Sequence, residues 1–212
     1  LKNIIKKYDY IIPLAALVGA PLCEKNKKKA VDINLNIIKF IIKHLRKSQR
    51  IIFTNSNSGY GIGDKKTFCD EKSPLNPISL YGRTKVDAEK CVMKFGNSIS
   101  FRLATVFGYS YRMRSDLLLN NLVLLALKNK KLDIFEPHFR RNFIHVRDVA
   151  EAIVFAIKNF NKLKNNIYNL GMSKANVTKI DMVKKIKKNL KDLKINYLRN
   201  KKDPDKRDYY VS

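Results

Sequence analysis

A chain of 212 residues with 45% hydrophobic side chains is long enough to bury a core, as one large domain or as a domain plus a small lobe. Its 44 Lys and Arg against 18 Asp and Glu give a formal charge of +26. The lysines are scattered over helical segments, and no stripe of Arg with interleaved aromatics marks a nucleic-acid groove, so A/T-rich coding explains the bias better than a polyanion partner. Three Cys (23, 69, 91) and three His (44, 138, 145) have neither zinc spacing nor a disulfide pattern, which leaves no metal site to expect and fits a reducing cytoplasm.

At the start, Lys2, Lys6 and Lys7 precede an apolar run from Tyr10 to Cys23 that superficially looks like a signal peptide. The run is short, carries Pro13 and Gly19 and follows Asp9, so a buried strand and loop is expected rather than a membrane span. Residues 8–15 read as that strand. Residues 24–48 have helical period, with Ile33, Ile37, Ile38, Ile41, Ile42 and Leu45 on one face. Residues 50–54 form a second strand, followed by the turn-rich Asn55 to Gly63. A helix is expected from near Ser79 to Phe95, and a third strand over 98–104. This alternation predicts an α/β fold with a doubly wound, Rossmann-like parallel sheet, whose ligands sit at the carboxyl ends of the strands. Beyond it, helices at 115–129, 147–160 and 178–191 and short strands at 132–135, 142–146 and 167–170 predict a smaller α/β lobe. The expected division is 1–108 with 142–160 in the sheet domain, and 109–141 with 161–212 in the substrate lobe.

Tyr81 and Lys85 stand four apart, on one face of the expected helix. A nearby ammonium stabilises a phenolate and lowers the Tyr pKa, so such a Tyr can take a proton from an alcohol hydroxyl near neutral pH. The pattern alone is weak, since Tyr197 and Lys201 repeat it. Context separates the two: Tyr81 follows a strand ending in Thr54-Asn55-Ser56, a Gly-rich turn and Ser73-Pro74-Leu75-Asn76-Pro77. By itself Ser56 would be an ordinary capping serine.

Taken together these segments resemble the extended short-chain dehydrogenase/reductase family of sugar-nucleotide epimerases and dehydratases. Leu14-Ala15-Ala16 resembles its strand end beside the nicotinamide, and Thr54 to Gly61 its Ser/Thr loop ending in Tyr-Gly. Tyr81 to Lys85 resembles its active-site helix, and Phe101 to Gly108 the strand and turn after it. Arg141 to Val149 resembles the segment whose leading Arg holds the substrate diphosphate. Tyr168 to Gly171 and Asp205 to Tyr209 resemble later parts of the substrate lobe. The resemblance implies Tyr81 as base, Lys85 as its tuner and Ser56 as proton partner. It implies NAD contacts, with NADP open, at Leu14, Ala15, Ala16, Thr54, Tyr81, Lys85 and Leu103. It implies nucleotide-sugar contacts at Ser56, Asn120, Asn121, Arg141 and, more weakly, Arg207. Thr105 stands where many epimerases carry Asn. A homodimer through helices 24–48 and 79–95 is also implied.

Departures narrow the reaction. The dehydratases carry an acid right after the catalytic Ser/Thr, where this chain has Asn57 and Ser58, and the epimerase-reductases carry Cys at the position of Ser58. Epimerisation through a transient keto sugar, made and unmade by hydride exchange with NAD, is therefore expected. The alternatives are an NAD(P)-dependent reductase or dehydratase of a related sugar nucleotide, and a non-catalytic basic nucleic-acid-binding protein on the same fold. No glycine-rich phosphate loop follows a first strand. The family places that loop upstream, so a piece cut at both ends, inactive and poorly soluble alone, is expected.

Overall fold

The computed structural model describes residues 1–62, 68–198 and 210–211. A short helix α1 (Lys2–Ile5) leads into strand β1 (Tyr10–Ile11), then helices α2 (Ala20–Lys25), α3 (Lys27–Val31) and α4 (Ile37–His44). Strand β2 (Arg50–Ser56) ends in a 3₁₀ turn at Asn57–Gly59, and β3 (Phe68–Cys69) precedes helix α5 (Leu80–Phe95). Strands β4 (Ser98–Leu103) and β5 (Thr105–Phe107) follow, then α6 (Leu118–Asn129), β6 (Lys131–Ile134), β7 (Arg140–His145) and α7 (Val146–Lys158). The remaining elements are α8 (Phe160–Leu163), β8 (Asn166–Leu170), β9 (Asn176–Thr178), α9 (Lys179–Asn189), β10 (Lys194–Tyr197) and β11 (Tyr210–Val211).

The main sheet is parallel, in the order β1-β2-β4-β8. Because both faces are covered, β2 is a continuous apolar run: Ile51, Ile52 and Phe53 are each 0% exposed. Ile51 and Phe53 face α4 and α5, packing with Ile38, Ile41, Ala88 and Val92. Ile52 faces the other way, toward Ile99, Phe101, Ala156 and Phe160. A second body is built on β5-β7-β9 and on the β6-β10 pair, with α6 and α9 closing a core of Leu122, Leu132, Phe143, Met182 and Ile186.

Two sequence expectations change. The strand expected over 8–15 shrinks to Tyr10–Ile11, since Pro13 has no N–H to continue the ladder. The helix expected over 24–48 is interrupted: Asn26 has φ −131°, and a π-helical turn spans Asp32–Asn36. That turn aims Asn34 inward, where its carboxamide accepts from Leu17 N (2.8 Å) and donates to Leu17 O (2.9 Å). Burial then follows Ala30, Asn34, Ile38 and Ile41, leaving Ile37 38% exposed. Residues 166–170 form β8 and pair along β4 in the main sheet, from Ile99↔Asn166 to Leu103↔Leu170. Residues 142–145 pair with β5 and β9.

Among the described residues no helix is long and apolar enough to cross a membrane, and no group of His, Cys, Asp or Glu is placed to hold a metal ion.

Candidate active site

The site forms where β2 ends and α5 begins. Ser79 caps α5, its hydroxyl accepting from Gly82 N at 3.1 Å, and this fixes the first turn that carries Tyr81. Two glycines let the helix and the serine turn touch. A Cβ on Gly82 would lie 2.9 Å from the Ser58 carbonyl oxygen, and one on Gly59 would lie 2.9 Å from Val86 Cγ2. The turn that bears Tyr81 is thereby pressed against the turn that follows Ser56.

Lys85, 5% exposed, reaches from α5 to the strand end and donates to Thr54 O at 2.6 Å. Its ammonium also lies over the Phe53 ring, 4.1 Å from the centroid. Burial depresses its pKa to about 8, and the charge of Glu89 opposes that fall. Ser56 is half-buried at the end of β2; its hydroxyl pairs with that of Ser58 at 2.9 Å and accepts from Ser58 N at 3.2 Å. In register, Ser56 stands beside Leu103 of β4. Tyr81 is half-buried one turn before Lys85.

The segment after β1 comes to the same place. Asn34 links Leu17 to α5 through a 3.4 Å contact with Thr84 Oγ1, next to Lys85. Leu14 is 64% exposed and Ala15 is also exposed, while Ala16 is half-buried.

The other expected contacts lie in the second body. Asn120 is already engaged: its side chain accepts from Gly108 N (3.1 Å) and donates to Arg114 O (3.0 Å), so it holds the loop after β5. Asn121 follows it in the first turn of α6. Arg141 is 4% exposed on β7 and donates to Arg140 O at 2.8 Å. Arg207 lies outside the described residues.

Sequence reasoning missed two groups. Arg114 forms a two-pronged pair with Asp116 (2.7 and 2.6 Å), which pushes its pKa up, and the Tyr81 phenol adds to that effect. The loop after β5 therefore comes within electrostatic reach of Tyr81. Behind the site, Glu89 and Arg102 form a buried ion pair at 2.8 Å. One signal for it was readable, because Glu89 continues the Tyr81–Lys85 spacing by four more residues. An apolar cleft of about 500 Å³ between α6 and α9, lined by Val123, Leu127, Met182 and Ile186 among others, includes none of Ser56, Tyr81 and Lys85.

A parallel sheet whose strand ends meet a buried Lys, with a Tyr one turn before it, defines a Rossmann-like α/β protein of the extended short-chain dehydrogenase/reductase type. Comparison with known proteins makes this specific: the chain belongs to the NAD dependent epimerase/dehydratase family, whose profile matches residues 1–171. It is 25% identical over 206 residues to the UDP-glucose 4-epimerase of Lactobacillus helveticus, covering 85% of this chain and 62% of that protein. It is 28% identical over 155 residues to the probable UDP-glucuronate 4-epimerase of Rhizobium meliloti, covering 69% and 45%. Among solved structures, the UDP-glucuronic acid 4-epimerase of Bacillus cereus with UDP-glucuronic acid and NAD matches at TM-score 0.84 and 22% identity, over 99% of this chain and 68% of that one. The NAD-dependent NDP-hexosamine 5,6-dehydratase TunA matches at TM-score 0.86 and 18% identity, over 100% and 70%. The chain spans about half the length of the curated relatives it matches.

Proposed function

We propose that the protein epimerises a nucleotide sugar at a secondary hydroxyl through a transient keto sugar, with NAD as cofactor. The observation that carries this reading is the Lys85 ammonium, buried against Thr54 O one turn beyond Tyr81, with the Ser56 hydroxyl at the end of the same strand. NAD, when bound, would take a hydride from the sugar carbon as the keto sugar forms and return it to the other face. Leu14, Ala15, Ala16, Thr54 and Leu103 would line its nicotinamide side. Solved relatives carry NAD with UDP-glucose or UDP-glucuronic acid, and another carries NADPH, so NADP stays open.

The protein's own residues handle the proton. Tyr81 as phenolate accepts it from the sugar hydroxyl, and Lys85 favours that phenolate by its charge. Ser56 passes or shares the proton by hydrogen bond. Arg141 and Asn121 are the proposed grips on the diphosphate and nucleotide, and Asn120 contributes by holding the loop after β5. The protein would work in the cytoplasm, as a homodimer through the helices of 24–48 and α5; Ile37 and Phe40, each at least 38% exposed, support an apolar contact there.

Dehydration is the second reading, and the serine turn argues against it. Asn57 and Ser58 are buried and carry no acid that could expel water. Incubating the whole protein with UDP-glucose, and separately with UDP-glucuronic acid, in the presence of NAD tests the choice. The expected product is the 4-epimer with no net change of NAD. An accumulating 4-keto-6-deoxy sugar would replace this reading with dehydration.

A further inference from the structure

The buried polar groups behind the site do more than their packing requires. Glu89 sits on α5 one turn beyond Lys85, and Asn55, Lys85, Glu89, Ser100 and Arg102 are each no more than 5% exposed. Its carboxylate accepts from four groups: Asn55 Nδ2 at 2.8 Å, Ser100 Oγ at 2.7 Å, Arg102 Nη2 at 2.8 Å and Arg102 Nε at 3.2 Å. Asn55 uses its other end on the catalytic strand, its Oδ1 accepting from Ser56 N at 2.8 Å. Arg102 continues outward, donating to Tyr60 OH at 3.0 Å and to Glu71 O at 3.1 Å. One carboxylate therefore ties together the residue before Ser56, the turn after it and the helix that carries Tyr81 and Lys85.

We propose that Glu89 is a positioning residue for the reaction: its carboxylate, one turn from Lys85, favours the ammonium, and through Asn55 it fixes the main chain that presents Thr54 O and Ser56. A buried ion pair that served stability alone would be replaceable by apolar side chains of similar volume. Here the acceptor positions are spent on the strand end that Lys85 itself contacts. Burial drives Lys85 toward the neutral amine, and Glu89 supplies the opposing field.

Of the titratable groups packed around α5, Glu24 on α2 is exposed and meets Arg83 at 4.0 Å and Leu80 N at 3.4 Å, at the start of the helix. Tyr81 precedes Lys85 by one turn. Cys23 on α2 donates to Leu17 O at 3.2 Å, and burial pushes its thiol up. Tyr60, after β2, is also pushed up by burial, against the pull of Arg102. Arg102 on β4 meets Glu89 directly. Lys27, Lys28 and Lys29 on α3, Asp32 in the π turn, and Lys39 and Lys43 on α4 are exposed.

The proposal rests on the catalytic reading above, so its test reads Lys85 directly. The protein is labelled with ¹³Cε-lysine, the Lys85 resonance is assigned by its loss in Lys85→Arg, and its titration is followed by NMR. The expected midpoint is about 8 in the parent. In Glu89→Gln it moves to lower pH, because the attraction is lost and the Arg102 charge is unmasked. Should that variant not fold, Glu89→Gln/Arg102→Met removes both buried charges. The midpoint still moves to lower pH there, since the charge that favours the Lys85 ammonium is that of Glu89. An unchanged Lys85 midpoint in a folded variant overturns the proposal. Failure of the enzymatic reading would register separately, as turnover that survives loss of the Tyr81 hydroxyl.

Discussion

Lys85 places a charged amine where apolar surroundings resist it. Its folded pKa of about 8 lies below the ordinary 10.5. Below pH 8 both folded and unfolded forms hold the proton, and the folded form carries the whole burial penalty. Between 8 and 10.5 the unfolded chain binds the proton that the folded chain has released, so stability rises with pH across that window. The stability of the parent relative to Lys85→Met should therefore climb from pH 8 to 10.5 in urea denaturation series. A flat difference would contradict the burial of the charged amine. At this scale Tyr81, Lys85 and Ser56 could be named as candidates because motif spacing and strand-end position are written along the chain. Glu89 was half legible, through its spacing alone. Asn34 and Asn55 were not, since their value lies in partners such as Leu17, Glu89 and Ser56 that only the fold brings near.

Among the elements, α5 and the serine turn are held by a close approach in which side-chain size is decisive. An exposed helical Gly→Ala change ordinarily stabilises by about 1 kcal/mol. At Gly82 the new methyl would lie 2.9 Å from the Ser58 carbonyl, a backbone atom with little room to yield. Overpacking wins, and Gly82→Ala should lose about 1–3 kcal/mol in chemical denaturation. Unchanged or increased stability would mean that α5 does not rest on the turn. The capping of α5 by Ser79 was foreseeable from sequence, because a small hydroxyl residue preceded a periodic run. The break at Asn26 and the π turn of Asp32–Asn36 were not, because a run of Ile at helical spacing fits an unbroken helix equally well.

For the whole molecule, alternating strands and helices made the parallel sheet and its ligand-facing edge legible before any coordinates. What stayed hidden was the return of β8 beside β4, after more than 60 intervening residues that build most of the second body. Local pattern identifies a strand; its neighbour is settled by non-local packing, here Phe101 and Tyr168 with rings 6.2 Å apart. At the end of β8, Leu170 packs with Leu103, Ala104, Ile144 and Val149, so the strand ends of the sheet share a core cluster with β7 and α7. The account as a whole stands on proton transfer by the Tyr81 phenol. Turnover of a UDP-sugar by the whole protein, measured for the parent and for Tyr81→Phe at saturating NAD, tests it most directly. A fall in kcat of roughly 100-fold or more, with KM little changed, is the predicted result; a kcat equal to the parent's would contradict the assignment of this site.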